Sequence, residues 1–118
     1  MKVTIYQKPT CTTCRKVYAS LVEAGVDVDA VNYYTEPLSA AQIKALIAKM
    51  GCAARDVLRT KEPVYKVLAL AGKDLSDDEL IALMARYPDL LQRPIVEEGD
   101  RAILARPAER ILAFLSRT

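Results

Sequence analysis

The hydrophobic period changes twice near the start of the chain, and this change constrains the fold more than any other feature. Val3 to Tyr6 is a β-branched and aromatic run, which predicts a strand ended by a polar loop. From Cys11 onward, apolar residues recur every three or four positions, which predicts a helix that Gly25 ends in a left-handed cap. The period returns to nearly two over Val26 to Val31. Strand, helix and strand in so short a stretch predict a βαβ unit with parallel strands.

A helical block is predicted to follow. Ser39 with Gln42 forms a capping-box pattern ahead of an apolar helical stripe, and Ser76 opens a second pattern of this kind. Between them, Pro63 suits the first turn of a short helix that we expect to run through Leu70. No glycine-rich or serine-rich linker separates the block from its flanks, so we expect it to be inserted into the fold and not tethered to it.

The end of the chain is predicted to be a hairpin followed by a last helix. Two short β-type runs flank Glu98-Gly99-Asp100, a turn sequence typical of hairpins, and Pro107 is expected to open the helix. The element order is therefore βα, β, helical block, ββα. We interpret residues 1–118 as one α/β domain with a helical insertion over about 38–90.

The chain contains no histidine, and this absence excludes whole classes of chemistry. No Ser-His-Asp or Cys-His pair can operate, and no general base has an unperturbed pKa near neutrality. A metal site is not expected either, because three cysteines without any imidazole do not complete a good tetrahedral zinc site. Any nucleophile must therefore be activated by cations, by a helix N-terminus or by another carboxylate.

Charge and hydropathy limit the partners. A net charge of +2, without any block of basic residues, gives no reason to expect nucleic acid. The longest apolar runs, such as Val67 to Ala71, are too short to span a bilayer, and the first residues lack the long apolar core of a signal peptide. We therefore expect a cytoplasmic protein that binds neither a membrane nor nucleic acid directly, with its cysteines kept reduced.

The motif Cys11-Thr12-Thr13-Cys14 lies at the junction of the first predicted strand and helix. A thiol at a helix N-terminus faces unpaired backbone N–H groups and the positive end of the helix dipole, which favour the thiolate form of Cys11. Arg15 and Lys16 add positive charge nearby. Cys14 follows one turn later on the same face, close enough for a disulfide. In a reducing compartment this spacing indicates redox chemistry, and two inert cysteines are the alternative.

Three arginines stand at predicted element boundaries. Arg93 and Arg106 each precede a proline, which places them on extended backbone, and Arg59 follows the short apolar segment Val57-Leu58. Arginine is the planar, permanently charged donor that suits tetrahedral oxyanions. Taken singly, each of the three also fits an ordinary surface charge. We interpret the adjacent Tyr33-Tyr34 as strand packing, because no RNA-binding pattern surrounds it.

Four motifs together resemble the glutaredoxin-coupled arsenate reductase (ArsC) family. They keep the order and spacing of the family's motifs over essentially the whole chain, and they are Tyr6-Gln7-Lys8-Pro9-Thr10-Cys11-Thr12-Thr13-Cys14-Arg15-Lys16, Leu58-Arg59-Thr60-Lys61, Gln92-Arg93-Pro94-Ile95-Val96 and Ala105-Arg106-Pro107-Ala108-Glu109. The resemblance implies a thioredoxin-like fold with a mixed four-stranded sheet and a helical insertion. It also implies a cis peptide bond before Pro94.

The same resemblance implies roles for single residues. Cys11 matches the family's nucleophile, which attacks arsenic in arsenate. Arg59, Arg93 and Arg106 match the three arginines that hold the oxyanion and stabilise the thiolate. The implied cycle continues with attack by an external thiol, such as glutathione acting as a co-substrate, and releases arsenite. No bound cofactor is implied.

Two departures from the family pattern leave alternatives open. The reductases usually have a glycine and a serine where this chain has Thr12 and Cys14, and a histidine in the region of Gln7. The CxxC resembles the Spx-like regulators, which share the fold, sense disulfide stress and bind RNA polymerase but generally lack the arginine at Arg106. A general thiol–disulfide oxidoreductase is the third interpretation. For a reductase, Cys14 is expected to resolve oxidised Cys11 as a disulfide that glutaredoxin or thioredoxin then reduces.

Overall fold

The computed structural model describes residues 2–116. Its strands are β1 (Lys2–Gln7), β2 (Asp27–Asn32), β3 (Ile95–Glu98) and β4 (Arg101–Leu104). Its α-helices are α1 (Thr12–Glu23), α2 (Ala40–Met50), α3 (Pro63–Val67), α4 (Asp77–Arg86) and α5 (Arg110–Leu115). Across the described range, no helix has the length and apolar character needed to cross a membrane.

The described chain divides into two compact units. The first combines residues 2–36 with 93–116, and the second is residues 37–92. All four strands belong to the first unit together with α1 and α5, whereas α2, α3 and α4 belong to the second.

The sheet of the first unit has the strand order β2-β1-β3-β4. Strand β1 is parallel to β2 and antiparallel to β3, and β4 is antiparallel to β3. Tyr6 near the end of β1 lies opposite Val31 in β2 and Ile95 in β3, and Ile95 lies opposite Leu104 in β4. The ends of β1, β2 and β4 and the start of β3 therefore meet at one edge. The predicted α/β class with a mixed four-stranded sheet is confirmed.

One face of this sheet carries the core of the first unit. Val3 and Ile5 are two positions apart on β1 and so point to the same face. The α1 and α5 helices cover that face with apolar side chains, since each helix has buried residues at helical spacing. The buried members of this cluster are Val3, Ile5, Val17, Leu21, Val96, Ala105, Ile111 and Phe114.

The predicted βαβ unit is confirmed at both ends of its helix. Cys11 is the N-cap of α1, with extended backbone dihedrals of φ −79° and ψ 124°. Gly25 ends the helix region with φ 72°, the left-handed conformation that favours glycine. The N–H of Val26 then donates to the carbonyl of Leu21 at 3.2 Å, closing the helix before β2 begins.

Both predicted capping boxes are confirmed in the second unit. The Ser39 hydroxyl accepts from the N–H of Gln42 at 3.1 Å, and the Gln42 side chain accepts from the N–H of Ser39 at 2.8 Å. Ser76 and Glu79 make the same reciprocal pair at the start of α4. These contacts satisfy backbone donors that the first turn of a helix leaves without intrahelical partners.

Two helix limits differ from the prediction. The helix that begins at Pro63 ends at Val67 and does not reach Leu70, because Ala69 adopts a left-handed conformation with φ 54°. The last helix begins at Arg110 and not at Pro107. Residues 107–110 form a tight turn instead, in which the Arg110 N–H donates to the Pro107 carbonyl at 3.1 Å, and the bond before Pro107 is cis.

Candidate active site

The shared edge of the sheet carries a cluster of polar side chains in the first unit. Cys11 follows β1 after a short loop, and Tyr34 lies in the turn that follows β2. Arg93 comes just before β3, and Arg106 comes just after β4. Four segments that are distant in sequence thus deliver one residue each to the same edge, which is where open α/β sheets bind ligands.

The Cys11 sulfur is held at the N-terminus of α1. It accepts a hydrogen bond from the backbone N–H of Cys14 at 3.4 Å. The preceding loop is fixed by two further contacts, since the Cys11 N–H donates to the Lys8 carbonyl at 2.9 Å and the Arg15 side chain donates to the Pro9 carbonyl at 2.9 Å. The sulfur therefore occupies the position of an N-cap acceptor, where the helix dipole favours a negative charge.

The pKa of the Cys11 thiol is lowered to about 7 in this environment. Partial burial acts in the opposite direction and raises the pKa. It is outweighed by hydrogen bonds from the backbone N–H and the thiol of Cys14, and then by hydrogen bonds from Arg106 and Arg93. The thiolate form of Cys11 is consequently more accessible near neutral pH than that of an ordinary cysteine, without any histidine to take the proton.

Cys14 lies in the opposite environment. Its side chain is fully buried, and burial is the main reason that its pKa is raised to about 12. The hydrogen bond and the negative charge of Cys11 raise this pKa further, whereas the backbone of Lys8 and the charge of Arg93 lower it. Both cysteines are free thiols. The pair thus contains one half-buried, acidic thiol and one fully buried thiol with a high pKa.

Arg93 lies beside Cys11 and is only 7% exposed. Its Nη1 donates to the hydroxyl of Tyr34 at 2.9 Å, and its buried Nε has no hydrogen-bond partner among residues 2–116. An unpaired buried donor is costly, so this atom favours an incoming acceptor. The peptide bond between Arg93 and Pro94 is cis, as the resemblance implies.

Arg106 is tied to the same site through the backbone. Its Nη1 donates to the carbonyl of Arg93 at 3.1 Å, so the two guanidiniums belong to one hydrogen-bonded cluster. Arg106 also contributes to the low pKa of Cys11. Two permanent cations and one thiolate can therefore surround a small anion, because guanidinium forks match the oxygens of tetrahedral oxyanions.

Comparison with known proteins identifies the family. The model of the ArsC family matches residues 6–114. The chain belongs to the ArsC family. An arsenate reductase of Rhizobium meliloti (strain 1021) is 36% identical over 118 residues, with 100% of this chain and 84% of the relative covered. The global transcriptional regulator Spx of Streptococcus pyogenes serotype M1 is also 36% identical, over 98% of this chain and 86% of the relative.

A solved structure supports the same family. The arsenate reductase of Vibrio cholerae superposes with a TM-score of 0.91 at 37% identity, covering 96% of this chain and 97% of its own. The thioredoxin-like fold implied by the resemblance is thereby confirmed for this ArsC-family protein.

The third arginine of the family pattern, Arg59, belongs to the second unit. Its Nε and Nη2 both donate to one carboxylate oxygen of Glu62 at 2.9 Å, and its Nη1 donates to the Gln92 side chain at 3.1 Å. The side chains of Arg59 and Glu62 are 18% and 20% exposed. Its backbone N–H donates to the Leu90 carbonyl at 2.8 Å. The role of Arg59 in oxyanion binding stays a prediction from the motif.

The sequence prediction missed the place of Tyr34 in this cluster. Tyr34 does not pack within a strand, since it lies in the turn after β2, where its hydroxyl accepts from Arg93. The Lys8 ammonium lies 4.8 Å from the centre of the Tyr34 ring. Tyr34 could have been predicted from its position directly after a strand parallel to β1. The carboxyl ends of parallel strands lie at one edge of the sheet, which here is the edge that carries Cys11.

Arg106→Gln tests whether the cations set the reactivity of Cys11. This change removes one charged donor, so we expect the midpoint of thiol alkylation to rise from about 7 by about one unit. The pH dependence of the iodoacetamide reaction measures this in a Cys52→Ser background, because the reaction accelerates as the thiol loses its proton. Cys14, with a pKa of about 12, does not titrate in this range.

The matched control for this measurement is Arg110→Gln, since Arg110 is exposed on α5. The control should leave the midpoint at its original value. An unchanged midpoint in Arg106→Gln, or an equal shift in both variants, would contradict the assignment.

Proposed function

We propose that this ArsC-family protein is a thiol-dependent oxidoreductase that reduces arsenate to arsenite through the thiolate of Cys11. The observation that carries the proposal is the environment of Cys11, whose pKa of about 7 is set by a helix N-terminus and two arginines in place of a histidine. A substrate that is itself an oxyanion uses the same cations, since they attract its charge and stabilise the nucleophile together.

In the first step, the Cys11 thiolate attacks arsenic and forms a sulfur–arsenic bond, and one arsenic-bound hydroxyl group takes up a proton from the solvent and leaves as water. In the second step, another thiol attacks the Cys11 sulfur, and its proton passes to the departing arsenite. A disulfide forms, the electron pair of the sulfur–arsenic bond passes to arsenic, and arsenite is released. Two thiols thus supply the two electrons that convert arsenic(V) into arsenic(III).

Arg93 and Arg106 hold the oxyanion in this proposal. Arg93 supports this role through its buried Nε, which has no partner within the described residues, and Arg106 through its link to the Arg93 carbonyl. Arg59 joins them by its match to the family motif. Guanidinium groups bind two oxygens at once, which fixes the orientation of arsenic toward the attacking sulfur as well as supplying charge.

Cys14 is the proposed second thiol, with glutathione as the alternative. Its side chain is buried beside Cys11 on the first turn of α1, so a disulfide between them needs no external partner to form. Glutaredoxin or thioredoxin, or glutathione itself, then attacks the more exposed sulfur of Cys11. A cytoplasmic location is part of the proposal, since these donors act where thiols are kept reduced.

Cys11→Ser tests the nucleophile. A serine hydroxyl does not ionise near pH 7 and forms no redox bond, so arsenate-dependent oxidation of a coupled thiol reductant should fall to background. The assay follows NADPH consumption with glutathione and glutaredoxin, and separately with thioredoxin and its reductase. Cys52→Ser, which changes a half-buried cysteine in the second unit, is the control and should keep full turnover. Turnover by Cys11→Ser at the control rate would exclude the mechanism.

Cys14→Ser identifies the second thiol and the donor. If Cys14 forms the disulfide, its loss should lower thioredoxin-supported turnover by about tenfold or more, because thioredoxin reduces disulfides and none can form within the chain. Turnover with glutathione and glutaredoxin should fall less, since glutathione can attack Cys11 directly. If Cys14→Ser kept the turnover of the unchanged protein with each of the two donors, Cys14 would take no part in the reaction.

A second candidate function is redox-dependent regulation. The observations that favour it are the adjacent thiols of Cys11 and Cys14 and the 36% identity to a regulator named Spx. The arginine at Arg106 favours the reductase, as does the arsenate reductase relative of equal identity. A general thiol–disulfide oxidoreductase would instead reduce a protein disulfide such as that of insulin without arsenate.

The regulator hypothesis makes a distinct prediction. Immobilised protein should retain RNA polymerase only after mild oxidation, and Cys14→Ser should remove this dependence because the disulfide cannot form. Arsenate turnover should be absent from the same preparation. Arsenate turnover without oxidation-dependent retention of the polymerase would exclude the regulator and support the reductase.

A further inference from the structure

We propose that Tyr34 is the positioning residue that aims the Arg93 guanidinium at Cys11. The same contact would also orient Arg93 toward the oxyanion, and only this second consequence rests on the proposed function. The geometry that carries it lies wholly within the first unit and involves the turn after β2, the Tyr34 hydroxyl and the buried guanidinium.

The turn that presents Tyr34 is fixed by Asn32 at the end of β2. The Asn32 side chain accepts from the N–H of Tyr34 at 3.0 Å, and the Asn32 carbonyl accepts from the N–H of Glu36 at 2.8 Å. Asn32 itself lies opposite Gln7 in the parallel pairing of β1 and β2. The position of Tyr34 is therefore determined by the same sheet edge that positions the loop before Cys11.

Tyr34 contacts Arg93 through both its hydroxyl and its ring. Arg93 Nη1 donates to the hydroxyl at 2.9 Å, and the guanidinium carbon lies 5.8 Å from the ring centre, within the range of a cation–π contact. The neighbouring Tyr33 ring lies 5.0 Å from the Tyr34 ring and is 2% exposed, so the aromatic pair is anchored in the interior. Tyr33 also forms a side-chain hydrogen bond with Arg93, so a rigid aromatic pair holds the guanidinium, and Tyr34 supplies the contact to Nη1.

The chemical nature of this partner matters. A phenol accepts a hydrogen bond without carrying a charge at neutral pH, so it orients the guanidinium and leaves its positive charge uncompensated. A carboxylate in the same place would orient Arg93 equally well but would offset that charge, as Glu62 does for Arg59. Tyr34 therefore keeps the charge of Arg93 available to the Cys11 thiolate and to an oxyanion.

Tyr34→Phe isolates the hydroxyl, because it keeps the ring that contacts Arg93. We expect the midpoint of Cys11 alkylation to rise by about half a unit in a Cys52→Ser background. We also expect KM for arsenate to rise roughly threefold to tenfold, the effect of one hydrogen bond, with a smaller change in kcat. Tyr18→Phe is the matched control, since Tyr18 is 39% exposed on α1, and it should change neither quantity.

A double-mutant cycle shows whether Tyr34 acts through Arg93. Adding Tyr34→Phe to Arg93→Lys should give no further shift of the Cys11 midpoint, because the guanidinium that Tyr34 orients is already gone. The same shift in both backgrounds would overturn the proposal, as would an unchanged midpoint in Tyr34→Phe with a lower thermal stability alone. The alkylation measurement contains no arsenate, so absence of arsenate turnover would refute the proposed function and leave this inference standing.

Discussion

The pairing of β1 with a parallel neighbour on one side and an antiparallel neighbour on the other is the constraint on which the site depends. It brings the ends of β1, β2 and β4 and the start of β3 to one edge of the sheet. Each of these four chain segments then contributes one polar residue, and the resulting cluster is Cys11, Tyr34, Arg93 and Arg106. A shift of β1 by one residue would turn its buried side chains to the opposite face, so core packing and site geometry are specified together.

The two thiols of the CxxC differ in pKa because their environments differ in burial and in hydrogen bonding. Cys11 is an N-cap with partial access to solvent, and its pKa is about 7, whereas Cys14 is buried within the first turn of the same helix, and its pKa is about 12. Burial raises the pKa of both, but only Cys11 accepts enough charged and backbone hydrogen bonds to reverse that effect. The lack of histidine therefore does not prevent a low pKa at Cys11, since a backbone amide, the Cys14 thiol and two arginines stabilise the thiolate.

Much of the fold follows from local patterns, and the exceptions have tertiary causes. Local signals in the sequence predict the βαβ unit, both capping boxes and the hairpin. These signals are the hydrophobic period, the capping residues and the turn residues, each of which acts over a few positions. The early end of α3 depends on Ala69, whose left-handed conformation no residue preference predicts. For the site, the family motifs indicate that Cys11, Arg93 and Arg106 lie together. The contact between Tyr34 and Arg93 depends on the pairing of β1 with β2, which the local sequence Tyr33-Tyr34 does not reveal.

Arg93 and Arg59 are held by chemically different partners. This difference ranks their proposed contributions to oxyanion binding. Arg93 donates to the phenol of Tyr34 and keeps a buried Nε unpaired within the described residues, so the proposed oxyanion would reach this donor without displacing a partner from it. Arg59 is bound through two nitrogens to the carboxylate of Glu62, so any oxyanion must compete with that charge. In the proposed mechanism, Arg93 therefore provides the standing affinity for the anion, and Arg59 contributes to it only where its contact with Glu62 is shared or broken.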